Sequence, residues 1–117
     1  MTTPLHQLKA EFFKTLGHPA RIRILELLAQ GPRSVGELQG EIGLESSHMS
    51  QQLAVLRKAG VVTAHKRGNS VIYSMASPDM AQLLGVARRV LTGLLNDQVS
   101  MLKDLEASTP AEARSIR

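Results

Sequence analysis

The sequence predicts a mainly helical α+β chain carrying one small β-hairpin, with elements in the order α-α-α-α-β-β-α. Three observations support this. Apolar residues recur at helical spacing through the first half. The period changes to alternation between residues 61 and 76, around the turn residues Lys66-Arg67-Gly68-Asn69-Ser70. A long run of steps of four and three then follows Ser77-Pro78-Asp79. The chain has 117 residues, of which 43% are apolar and 21% charged, which fits one domain of ordinary globular composition.

The first helix is expected over residues 4–16, where Leu5, Leu8, Phe12, Phe13 and Leu16 form one apolar face. Gly17-His18-Pro19 interrupts it. Pro19 suits the first position of a second helix, because its missing N–H has no partner to lose there. His18 then sits where a capping or packing role suffices. Ile22, Leu25, Leu28 and Ala29 line that helix, Ile24 and Leu27 widen its face, and Gly31-Pro32 ends it. Ser34-Val-Gly-Glu37 is a capping box opening a third helix over about 34–42, closed by Gly43.

A tight turn, Gly43-Leu44-Glu45-Ser46, leads to a fourth helix expected to be capped by Ser46 or Ser47 and stopped at Gly60. The hairpin follows over 61–76, with turn chemistry at Lys66-Arg67-Gly68-Asn69-Ser70. The last helix is expected over about 78–105. Met80, Leu84, Ala87, Leu91, Leu94, Met101 and Leu105 form its main stripe, broken by Gln98. Leu83, Val86, Val90 and Leu95 form a second stripe beside it. Residues 1–105 form the expected domain and 106–117 a polar tail.

Charge placement carries more information than net charge. The formal +4 lies wholly within residues 46–78, where Arg57, Lys58, Lys66 and Arg67 meet no acidic residue. The rest of the chain is balanced, with ten basic and ten acidic side chains. A concentrated acid-free basic segment suits a polyanion. A carboxylate held close to phosphate would be repelled by several kcal/mol where water cannot screen it.

Two short helices joined by a tight turn and followed by a hairpin make a winged helix-turn-helix layout. Projection at about 100° per residue puts Met49, Leu53 and Leu56 inward and Ser47, Gln51, Ala54 and Lys58 outward. His48, Val55, Ser50 and Arg57 flank the outer face, and Gln52 lies nearer the core edge. Gln pairs with adenine through two bonds, and Ser and His reach base edges or phosphates. Base reading is therefore expected from Ser47, His48, Ser50, Gln51 and Gln52, with Ser46 at the start of the helix. Arg57 and Lys58 at its far end are placed for phosphate, and His65, Lys66 and Arg67 at the hairpin for the DNA backbone or minor groove.

The runs "TLGHPARIRILELL", "SVGELQGEIGLESSHMSQQLAVLRKAGVV" and "HKRGNSVIYSM" resemble the ArsR/SmtB family of bacterial repressors, over roughly residues 8–105. The resemblance implies a homodimer that binds a palindromic double-stranded operator and releases it on a chemical signal. It also implies dimerisation through the first and last helices: Leu5, Leu8 and Phe12 on one, and Leu84, Ala87, Leu91, Leu94 and Met101 on the other. The two stripes of the last helix fit one domain-facing and one partner-facing side.

The family's metal sites do not carry over. Its cysteine positions at the third helix fall on Ser34–Leu38, which hold no cysteine. Asp79 matches the first acid of a site on the last helix, but no histidine occurs after His65. A carboxylate without imidazole or thiolate partners is a poor transition-metal site. Asp79 reads instead as a helix-start acid. His6, His18 and Glu11 lack a ligand spacing. No metal, no cofactor and no inducer is therefore assigned.

The absence of cysteine also removes thiol redox sensing. No Gly-rich phosphate loop, nucleophile elbow or carboxylate pair suggests an enzyme. No signal peptide or membrane span is legible, so a cytoplasmic protein is expected. Two alternatives stand beside the repressor reading. One is a winged-helix module whose basic patch binds an acidic protein. The other is a DNA-binding regulator governed by a protein partner instead of a small inducer.

Overall fold

A computed structural model describes residues 2–107. The element order is α1 (Leu5–Leu16), α2 (Pro19–Gln30), β1 (Arg33–Ser34), α3 (Val35–Ile42), α4 (Ser46–Lys58), β2 (Val62–Arg67), β3 (Ser70–Met75) and α5 (Pro78–Ala107). The chain divides into two compact units between Gln82 and Leu83.

In the first unit α2, α3 and α4 pack on one another and on the sheet. Ile24, Leu25 and Leu27 of α2, Leu38 of α3, and Met49, Leu53 and Leu56 of α4 are almost wholly shielded from water. Leu16 of α1, with Leu28, Val61, Val62 and Met80, completes the core. Each such side chain stabilises the fold by about 2 kcal/mol of apolar transfer. The α4 positions are those predicted, but on α2 the buried face turns towards Ile24 and Leu27, leaving Ile22 half-buried and Ala29 exposed, and Met80 is the only member of the α5 stripe in the core.

The helix starts follow local chemistry. His18 precedes α2 in extended conformation, and its Nδ1 accepts from the Ala20 N–H at 3.1 Å. Pro19 holds the first helical position, as expected. The capping box of α3 is present in full. Ser34 Oγ accepts from the Glu37 N–H, and Glu37 Oε1 accepts from the Ser34 N–H, both at 3.1 Å. The Ser34 backbone N–H first, and then its hydroxyl, hold the Glu37 carboxyl below its usual value of 4.5. Gly43 closes α3 with φ +79°, a left-handed position that suits glycine. Ser77 Oγ accepts from the Asp79 N–H at 3.0 Å, which opens α5.

Three expectations are corrected. The hairpin gains a third strand: β1 pairs antiparallel with β3, Arg33 opposite Tyr73 and Ser34 opposite Ile72. Two residues are too short to show alternation. The turn also shrinks to Gly68-Asn69, with Lys66 and Arg67 inside β2 and Ser70 inside β3. Only Gly68 has positive φ there, at +63°, a backbone position that favours glycine. Neither Ser46 nor Ser47 caps α4. Glu45 is the residue before its first turn and makes no side-chain cap bond. Ser47 is already helical, and its hydroxyl donates to Glu45 Oε1 at 3.3 Å.

The second unit is the length of α5 from Leu83. The helix extends through Glu106 and Ala107, two residues past the expected end. The rest of the expected tail, 108–117, lies outside the described residues. Val86, Val90, Leu91, Leu94, Leu95, Val99, Met101, Leu102 and Leu105 are all exposed on it. No helix among the described residues is long and apolar enough to cross a membrane.

Candidate nucleic-acid interface

The candidate surface is built on α4 and the β2–β3 hairpin. Three buried side chains, Met49, Leu53 and Leu56, anchor α4 and so fix which residues face outward. Ser46, Ser47, His48, Ser50, Gln51, Ala54, Arg57 and Lys58 are all exposed, while Gln52 and Val55 are half-buried at the edge. This is the division that the helical projection predicts. Arg57 and Lys58 fall in the last turn, where cations also complement the helix dipole.

The hairpin is buried at its base and exposed at its tip. Val62 is in the core, whereas His65, Lys66 and Arg67 are open to solvent. Strand alternation separates these three. His65 and Arg67, opposite Ile72 and Ser70, share one face. Lys66, opposite Val71, projects from the other, with Ala64 and Val62. Sequence inspection placed them together because it read Lys66 and Arg67 as turn.

The electrostatics follow from what is unpaired. Arg23 pairs with Glu26 at 3.5 Å and Arg33 with Glu41 at 3.8 Å. Arg57, Lys58, Lys66 and Arg67 take part in neither, so all four charges are available to an external anion. The nearest acid in sequence is Glu45, at the start of α4, where it accepts from Ser47. Among the described residues no three histidine, aspartate or glutamate side chains converge to hold a metal ion.

Sequence reasoning missed Arg21, in the first turn of α2. Its Nε donates to Gln52 Oε1 at 2.7 Å and its Nη1 to the Thr15 carbonyl at 3.0 Å. No local pattern marks this pairing, because Thr15 and Gln52 meet Arg21 only in the folded chain.

The residues named for pairing between chains fall into two groups. Leu5 and Leu8 on α1, and Ala87, Leu91, Leu94 and Met101 on α5, are exposed in the single chain. Phe12 and Leu84 are half-buried. Leu5 and Met101 each show 65% of their surface to water.

Comparison with known proteins places this geometry among relatives. Residues 18–64 match the family model described as bacterial regulatory protein, arsR family. The chain is 63% identical to Rv0081, an HTH-type transcriptional regulator of Mycobacterium tuberculosis, over 109 residues, 92% of this chain and 96% of that protein. The crystal structure of Rv0081 superposes with a TM-score of 0.79 at 65% identity, covering 84% of this chain and 99% of that one. The homodimeric winged helix-turn-helix DNA-binding domain Mb0332 of Mycobacterium bovis gives a TM-score of 0.73 at 31% identity, over 80% of this chain and 86% of that one. The transcriptional repressor BigR of Xylella fastidiosa gives 0.68 at 34% identity, over 73% and 87%.

Proposed function

Because the chain belongs to the arsR family of bacterial regulatory proteins, we propose that it is a sequence-specific DNA-binding transcriptional repressor that holds a palindromic operator as a homodimer. The observation that carries this reading is the outer face of α4. It is polar and exposed, ends in two unpaired cations, and lies in a segment with no carboxylate from Ser46 to Pro78. α4 enters the major groove, where Ser47, His48, Ser50 and Gln51 meet base edges. Arg57 and Lys58 meet phosphate at its far end, and His65, Lys66 and Arg67 meet the backbone beside the hairpin. A second copy covers the apolar faces of α1 and α5 and sets the two reading helices about one helical turn of DNA apart.

Binding measured across a salt series tests this. Neutralising phosphates releases counterions, so log affinity should fall linearly with log salt. Lys66→Ala should weaken binding on every duplex and reduce that slope by about 1 per subunit. Salt-independent binding, or an unchanged slope in Lys66→Ala, would contradict the proposed phosphate contacts.

A further inference from the structure

Arg21 joins three helices of the first unit. Its bonds to the Thr15 carbonyl of α1 and to Gln52 Oε1 of α4 are both partly buried. Each acceptor has a reason to need this cation. Thr15 lies in the last turn of α1, whose carbonyls find no N–H partner within the helix. The Arg21 guanidinium supplies the missing donor and sets a positive charge at the negative end of the α1 dipole.

Gln52 gains a fixed orientation. Arginine offers only donors, so the glutamine must turn its oxygen towards it. The amide nitrogen is left without a partner inside the chain. No buried side-chain nitrogen or oxygen lacks a partner among the described residues, so this nitrogen reaches solvent.

We propose that Arg21 is a positioning residue for the reading helix: it ties α4 to α1 and α2 and makes Gln52 meet DNA as a hydrogen-bond donor alone. The two neighbouring glutamines then differ in what they recognise. Gln51 is exposed and unpartnered, so it keeps the donor and the acceptor that adenine requires. Gln52 has its oxygen occupied and selects acceptor edges, such as guanine N7 and O6 or thymine O4. This assignment rests on the reading of α4 as the DNA-facing helix.

The test uses the full-length chain, duplexes that it enriches from a random pool, and a scrambled duplex of equal length. Arg21→Lys keeps the charge but loses the planar fork, so it would preserve a simple phosphate contact and break a two-acceptor clamp. Arg21→Lys and Gln52→Ala should each lose about tenfold in affinity for the enriched duplex. Binding to the scrambled duplex and the salt slope should stay unchanged, and the double variant should lose no more than either single one. In the free protein, the Arg21 Nε–H resonance should be protected from exchange and lose that protection in Gln52→Ala.

Arg21→Lys binding like wild type, losses that multiply in the double variant, or an unprotected Nε–H overturns the proposal. A wild-type chain that enriches no duplex overturns the interface reading itself and this proposal with it. The Nε–H measurement, made without DNA, tells that failure apart from a missing clamp.

Discussion

At the scale of single residues, local hydrogen-bonding needs decide most placements. Ser34 and Glu37 satisfy each other's backbone donors, and His18 supplies an acceptor to the second residue of α2. Ser34→Ala should cost about 1 kcal/mol at neutral pH, read from denaturant unfolding. Glu37 adds a pH dependence whose sign is fixed. Its carboxyl is held below 4.5 in the folded chain, so its stabilising effect is present above that value and is lost as pH falls through the lower, folded one. The melting temperature of Glu37→Gln should therefore fall below wild type at pH 7, and the gap should close on acidification. A gap that widens in acid would contradict the assignment. Which bases Ser47, His48 and Ser50 would read on the proposed interface depends on the operator, but their exposure follows from the three apolar anchors of α4.

At the scale of elements, helices were more legible than strands. α2 and α3 announce their starts with Pro19 and with the Ser34–Glu37 pair, and their ends with Gly31 and Gly43. The anchors of α4 follow from spacing alone. The start of α4 was misread because serine is a frequent cap, whereas here its hydroxyl turns to Glu45. β1 was invisible, since its two residues are defined by pairing with β3 across nearly forty positions. Arg21 was missed for a related reason: its partners Thr15 and Gln52 become neighbours only once α2 packs on α4. The hairpin gives its own test. Gly68→Ala places a Cβ at φ +63° and should cost about 1–2 kcal/mol, with weaker DNA binding but α4 intact. Gly68→Asn should cost less, because asparagine tolerates that conformation. Equal losses in the two variants would argue against a turn-conformation effect.

At the scale of the whole molecule, two features have no partner within the single chain. One is the set of four unpaired cations. The other is the apolar length of α5, whose main stripe runs in steps of four and three with Gln98 as its polar member. Where two such helices pair, a polar residue in the seam fixes register at a cost in stability. Gln98→Leu should therefore tighten self-association, and Leu94→Glu should weaken it, both read by sedimentation equilibrium. No change in either would remove the α5 stripe from the interface. The central claim is that the outer face of α4 reads DNA sequence, and selection from a random duplex pool tests it most directly. Wild type should enrich an inverted repeat whose half-sites lie about one helical turn apart, and Gln51→Ala should lose its preference at one position of each half-site while still binding. Enrichment of no common sequence, or the same preference in both proteins, would contradict it.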